Sequence, residues 1–357
     1  MFSFGRKRTS LLGVDISSTA VKVIELSQPG GATPSLFRVQ AYAVEPLPPN
    51  AVVEKKIADV DAVGRTIGKA VAASGSKAGR AAAAVSGSAV ITKVIPMGAA
   101  LSPAEMEAQI QLEADQYIPY PLEEVNIDFD VLGPSTSSPE MVDVLLAASR
   151  RENVDDRVTA LEIGGLTAVV VDVEAYAMEN ACALLPGARG EGRGPQTVAV
   201  ADVGATTTNL QVLHEGRTVY TREQNLGGQQ LIEEIQRRYA VPQEQALQKL
   251  VEGGLPGDFD TEVLTPFKEM LAQQIGRALQ FFYSASSFNR VDRLYLAGGA
   301  AGIRQLDKLV EDRLGISTKV ANPFTQMSLA PHIKAQDIAR DAPALMIAVG
   351  LALRGFD

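Results

Sequence analysis

The sequence predicts an α/β protein of two domains, and three segments carry that prediction. Near the N-terminus, Leu11-Leu12-Gly13-Val14-Asp15-Ile16 ends in the hydroxyl-rich turn Ser17-Ser18-Thr19 and continues into Val21-Lys22-Val23-Ile24-Glu25-Leu26. The design returns at Val198-Ala199-Val200-Ala201-Asp202-Val203, followed by Gly204-Ala205-Thr206-Thr207-Thr208 and then Leu210-Gln211-Val212-Leu213. Each reads as a hairpin whose first strand ends beside an aspartate. The third segment, Leu294-Tyr295-Leu296-Ala297, is an apolar strand running into Gly298-Gly299-Ala300 and then a helix. Glycines there let the backbone approach a flat ligand such as adenine. Turns of small hydroxyl residues leave backbone N–H groups to meet an anion. An aspartate at the shoulder suits Mg²⁺, which takes one or two carboxylates plus water and phosphate oxygens. Two such hairpins facing each other would clamp a polyphosphate.

The remaining elements follow in chain order. Phe37 to Val44 reads as a strand, the prolines Pro46, Pro48 and Pro49 as a loop, Asp59 to Ser74 as a helix and Ala81 to Ser86 as a buried strand. Ser102-Pro103-Ala104-Glu105 is a capping box with proline at the first helical position, so a helix starts there. It stops near Tyr117, because Pro119 and Pro121 cannot continue it. Strands over Val125 to Leu132 and Met141 to Ala148 flank the loop from Gly133 to Pro139, and a helix from Glu152 to Ile163 ends at Gly164-Gly165. Thr167 to Asp172 is a strand and Val173 to Leu185 a helix. Gly187 to Pro195 follows a helix and precedes a strand, the reverse of a dinucleotide-binding context, so it reads as a hinge. After the second hairpin, Gly227-Gly228 leads into a helix from Gln229 to Tyr239, and Pro242 opens another. From Thr265 to Ser284 a longer helix places Phe267, Leu271, Ile275, Leu279 and Phe282 on one core stripe, and Ala344 to Leu353 is an apolar helix near the C-terminus.

The three opening segments, in this order, resemble the phosphate-1, phosphate-2 and adenosine motifs of the actin, Hsp70 and sugar-kinase superfamily. That resemblance implies an actin-like (ribonuclease H-like) two-domain fold with a nucleotide cleft. Within it, the chain resembles the PilM family, FtsA-like proteins of the type IV pilus assembly platform. The carrying runs are Leu12-Gly13-Val14-Asp15-Ile16-Ser17-Ser18, Ile118-Pro119-Tyr120-Pro121-Leu122-Glu123-Glu124, Val169-Val170-Val171-Asp172-Val173-Glu174, Ala321-Asn322-Pro323-Phe324 and Ala348-Val349-Gly350-Leu351-Ala352-Leu353-Arg354. The family implies an FtsA-like inserted subdomain over 91–165, between 1–90 and 166–190 of the first domain. A second domain over 195–340 follows, and the helix of 341–357 returns to the first. It also implies ATP and Mg²⁺ in the cleft, and binding of the N-terminal cytoplasmic segment of the membrane protein PilN beside other pilus platform proteins. Localisation would be cytoplasmic, held at the inner membrane through partners, in the service of twitching motility; self-association stays open.

Candidate site residues follow from these motifs. Asp15 and Asp202 are the Mg²⁺ candidates; each alone would be an ordinary turn former. Ser17, Ser18, Gly204, Thr206 and Thr207 are candidates for phosphates, as is Lys22, otherwise a solvated strand residue. Gly227 and Gly228 are further nucleotide-binding candidates, and Gly298, Gly299, Ala300 and Lys249 are the nucleoside-side ones, although Lys249 lies on a helix rich in Gln and Glu that reads equally as surface. Glu174 stands where the superfamily orients an attacking water, and also where a helix dipole alone favours a glutamate. Ser17 replaces the glycine of Asp-x-Gly-Thr, which restricts approach to the terminal phosphate and predicts at most a slow ATPase. Tyr117, Ile118 and Tyr120, at a helix broken by prolines, are the candidates for holding the partner peptide, with packing of the subdomain against the first domain as the alternative.

Composition excludes several classes. One cysteine, Cys182, rules out a disulfide scaffold, and His214 and His332 have no partners at zinc-ligand spacing. A net charge of −9, with Arg6-Lys7-Arg8 the one dense basic cluster, argues against a nucleic-acid binder. No apolar run reaches membrane-spanning length, so a soluble protein is expected. Two rival functions remain: a sugar-type kinase of the same superfamily, and an FtsA-like filament-forming division protein. The second ordinarily needs a membrane-binding amphipathic tail beyond Leu353.

Overall fold

A computed structural model describes residues 11–28, 37–135, 138–187 and 196–356. The basic cluster Arg6-Lys7-Arg8 and residues 188–195 of the expected hinge lie outside them.

The first half opens with a meander of β1 (Leu12–Ile16), β2 (Ala20–Ser27) and β3 (Arg38–Pro46). A two-strand ribbon, β4 (Val52–Val53) and β5 (Lys56–Ile57), leads to α1 (Val60–Ser74) and β6 (Arg80–Val85). Asp59 caps α1, its carboxylate accepting from the Ala62 N–H at 2.9 Å. Next come β7 (Val90–Gly98), α2 (Pro103–Glu113), β8 (Val125–Pro134) and β9 (Met141–Arg150). The Ser102–Glu105 capping box forms as the sequence predicts. α3 (Arg151–Ile163), β10 (Thr167–Val173) and α4 (Glu174–Cys182) complete this half.

The second half repeats the opening: β11 (Thr197–Val203), β12 (Thr208–His214) and β13 (Arg217–Gln224) form a meander. There follow α5 (Gly228–Tyr239), α6 (Gln243–Glu252), α7 (Thr265–Ala285), β14 (Arg293–Ala297), α8 (Leu306–Leu314) and β15 (Thr318–Val320). β16 (Ser328–Leu329), α9 (Ala335–Asp341) and α10 (Met346–Leu353) close the chain.

The two large sheets share one topology. Sheet one runs β10-β6-β1-β2-β3-β16 and sheet two runs β13-β12-β11-β14-β15. In each, the first strand pairs antiparallel with the second and parallel with the fourth. Parallel neighbours need a crossover connection. In sheet two α8 supplies it. In sheet one the equivalent crossover, from β6 to β10, contains a three-stranded sheet, β7-β9-β8, before α3 completes it. α2 covers one face of that sheet, where Ile95, Met97, Met106, Ile110, Val144 and Leu146 form a separate small core. Ala160 and Leu161 of α3 instead belong to the core under sheet one, with Leu12 and Ile67.

Besides the short β4, β5, β15 and β16, two longer strands lie outside those expected from the sequence. β13 is an edge strand with no fully buried residue, so its polar run lacked an apolar signal. β7 carries Pro96, which an edge strand tolerates.

The C-terminal helix α10 is apolar all round and buried on nearly every side, as such a helix must be. It lies on β1 and α4 at backbone contact distance: a Cβ on Gly13 would meet the Ala348 carbonyl oxygen at 2.0 Å, and one on Gly350 the Ala177 oxygen at 1.7 Å. The last helix thus packs on elements of the first half. No helix among the described residues is long and apolar enough to cross a membrane.

Candidate nucleotide cleft

The two hairpin turns meet. Ser18 Oγ lies 3.4 Å from Thr206 Oγ1, across the boundary between the halves. Local bonds hold both turns in shape. The Ser17 N–H and hydroxyl both donate to the Ala20 carbonyl, at 3.0 and 2.8 Å, so this side chain closes its own turn. In the second turn the Gly204 N–H donates to Thr207 O at 2.9 Å, and the first N–H groups of α5 donate to Gly204 O and Ala205 O.

Behind the turns is a cavity of about 390 Å³. Asp15, Ser17, Ser18, Lys22 and Glu174 line it from the first half; Asp202, Gly204, Thr206, Thr207 and Gly228 from the second. Gly298, Gly299 and Ala300 also line it. Gly298 is required there: its φ is +87°, and a Cβ would meet Val203 O at 2.3 Å and Asp202 Oδ1 at 2.5 Å.

Two expected residues are placed otherwise. Lys249 does not line the cavity, whereas Gln243, Leu247 and Leu250 of the same helix do. Steps of three and four residues share one helix face, and Lys249 falls off it. Gly227 is also absent from the lining; a Cβ on it would meet Ala205 O at 2.5 Å, so it serves the close approach of α5 to the second turn.

The sequence reading missed Lys55 and Asn209, which line the polar part, and the apolar wall of Leu231, Ile232, Leu247 and Ile303. Helix periodicity could have suggested the wall. Lys55 carries no motif and reaches the cleft only through tertiary structure.

The polar part of the cleft is rich in paired charge. Lys22 Nζ donates to Asp15 Oδ2 at 2.8 Å. Burial pulls the Lys22 ammonium down, but Asp15, Asp202 and Glu174 together outweigh it and raise its pKa. Lys55 behaves alike: burial lowers it, Glu174, Glu223 and Asp202 raise it further. Asp202 is pushed up to about 6, chiefly by burial, against the pull of Lys22 and Lys55 and with the push of Glu174 and Asp15.

Among the described residues no cluster of three or more His, Cys, Asp or Glu could hold a metal alone. That fits Mg²⁺ arriving with a polyphosphate, whose oxygens and waters supply most of the ligands. Asp15 and Asp202 are the two expected carboxylates, and both line the cavity.

At the inserted sheet, Ile118 is 4% exposed and packs with Ala114, Val125 and Ala148. Its expected role as a peptide anchor is therefore corrected: the side chain is spent on the subdomain core. Tyr117 and Tyr120 are half-buried, with Lys93 Nζ 5.5 Å from the Tyr117 ring centroid and the Arg150 guanidinium 4.2 Å from that of Tyr120.

The family model for the type IV pilus assembly protein PilM matches residues 13–356. The chain belongs to that family. Among solved structures it resembles a PilM-PilN type IV pilus biogenesis complex, at 29% identity over 98% of this chain and 99% of that one, with a TM-score of 0.79. It also resembles the ethanolamine utilization protein EutJ from Carboxydothermus hydrogenoformans, at 16% identity over 96% of this chain and 89% of that one, with a TM-score of 0.57. The fold is the actin-like one.

Proposed function

We propose that this chain is an ATP-binding scaffold of the type IV pilus assembly platform, and that it engages the N-terminal cytoplasmic segment of a PilN-type membrane protein. The observation that carries the platform role is the match along 98% of the chain to a member of the family solved in a complex with PilN. Support for ATP comes from the facing hairpin turns, joined at Ser18 and Thr206, with an apolar wall on one side and two lysines among carboxylates on the other. Adenosine against the apolar wall and phosphates between the turns would match both surfaces. Mg²⁺ would be held by Asp202 and Asp15 and would offset the charge of the phosphates.

Chemistry in this cleft would be slow. Ser17 stands where a glycine would leave room at the terminal phosphate, and its hydroxyl is committed to Ala20 O. Glu174, the candidate for orienting a water, is instead bonded to Lys55. A scaffold needs only unequal affinity for its partner in different nucleotide states.

The test is calorimetric titration of the full chain with a synthetic PilN N-terminal peptide, with and without Mg·ATP, beside a sugar-phosphorylation assay. Saturable peptide binding is expected. No binding to the parent protein, or sugar-dependent ADP release on the order of 10 per second, would overturn the scaffold reading.

A further inference from the structure

The ribbon ahead of α1 turns at Glu54-Lys55, where both residues hold left-handed backbone, with φ of 48° and 62°. Val53 pairs with Lys56 across them. A two-residue hairpin turn with two positive φ values favours Asn and Gly, and other residues there cost about 1 kcal/mol or more each. Such strain persists only where the surroundings impose it. Here Arg157 of α3, 3% exposed, donates from its guanidinium to the carbonyls of Ala84, Asn153 and Lys55.

The strained turn delivers the Lys55 ammonium to a node of three acceptors. Its Nζ lies 3.2 Å from Glu174 Oε2 and 2.8 Å from Glu223 Oε2. The Asn209 amide, turned so that both ends are satisfied, accepts from it at 2.9 Å and donates to Glu223. Glu174 is on α4 of the first half; Glu223 and Asn209 are on β13 and β12 of the second. One ammonium therefore ties the halves together.

Its place in the cleft is defined by a second cavity of about 200 Å³, lined by Ser88, Thr221 and Arg222 among others. Lys55, Glu174, Asp202 and Asn209 line both cavities, whereas no residue of α5, α6 or the turn 298–303 lines the second. Lys55 thus stands at the end of the cleft away from the apolar wall, where the outermost phosphate of a bound nucleotide would come. Lys22 differs: it is matched one to one with Asp15. Of the two Lys55 carboxylates, Glu223 is the more exposed, at 31% against 17%, and is the one water can resolvate at lower cost.

We propose that Lys55 reads the terminal phosphate: with a nucleoside triphosphate in the cleft its ammonium exchanges Glu223 for that phosphate, and with a diphosphate it stays on Glu223. The inference rests on the ATP-binding reading above. It makes the ion pair between the halves the element by which the two nucleotide states differ, and releases Glu223 from Lys55 when the triphosphate is bound.

The test is titration of the full chain with Mg²⁺ plus either ADP or a non-hydrolysable ATP analogue. In the parent protein the triphosphate is expected to bind at least fivefold tighter. Lys55→Met should bring the ratio of affinities close to one, with ADP affinity within about threefold of the parent. Glu223→Gln removes the competitor and should raise the ratio, a direction that merely structural damage would not produce. It also decides the matter if Lys55→Met fails to fold. A ratio unchanged in both variants, or a parent without preference, overturns this inference while the ATP-binding reading stands; a parent that binds neither nucleotide overturns both.

Discussion

Asp202 keeps a carboxylate where folding disfavours its charge. Because its pKa is raised from 3.8 to about 6, the folded chain holds the proton more tightly than the unfolded one. Its contribution to stability is therefore fully present below the ordinary carboxylate pKa and is lost as pH rises through about 6. Without nucleotide, Asp202→Asn should melt higher than the parent at pH 7 to 8, by on the order of 2 kcal/mol or a few degrees. The gap should close toward pH 4. Melting curves across that range check the sign, and a variant less stable than the parent at pH 8 would refute it. The same variant should lose most of the stabilisation by Mg·ATP, since it removes the carboxylate nearest the second turn.

At the scale of elements, the contact of α10 with β1 and α4 depends on two positions without side chains. A Cβ on Gly350 would overlap the Ala177 carbonyl, which is backbone and cannot yield by a rotamer change. Gly350→Val should cost about 3 kcal/mol or more, read as a fall in the denaturation midpoint. The inserted sheet has a core of its own, so its residues separate by burial. Ile118→Asp would place an unpaired carboxylate in that core and should destabilise by several kcal/mol, about 3 or more. Tyr120→Ala removes a half-buried ring and should leave the melting temperature within a few degrees while weakening PilN peptide binding about tenfold, or 1.4 kcal/mol. Unchanged affinity in a folded Tyr120→Ala protein would place the peptide away from that ring.

For the whole molecule, the cleft closes between two sheets of one topology, so a ligand that touches both turns stabilises both halves. Mg·ATP at one hundred times its Kd should stabilise by about 2.7 kcal/mol, a rise of several degrees in melting temperature. Chelation of Mg²⁺ with EDTA should abolish most of that rise, because the cleft holds Asp15, Glu174 and Asp202 against Lys22 and Lys55 and a bare triphosphate adds to the excess of negative charge. A full shift in EDTA would remove Mg²⁺ from the site.

The hairpins, their aspartates and the capped helices were legible in the sequence, because turns, caps and apolar periodicity are local and the second hairpin repeats the first; the actin-like class followed from the resemblance of those motifs to a known superfamily. The sequence also located most of the cleft, since Asp15, Ser18, Asp202, Thr206 and Gly298 sit inside recognisable turns. Tertiary structure alone decided the rest. Lys249 and Gly227 fell off the lining because a helix face and a backbone contact, not residue type, choose what lines a cavity. Ile118 went to the subdomain core because β8 and β9 offered it an apolar seat. Lys55 became part of the cleft only because Arg157, about a hundred residues further along the chain, holds its strained turn against the boundary between the halves. Long-range contacts of that kind leave no local pattern, since neither residue needs the other's type until the chain has folded.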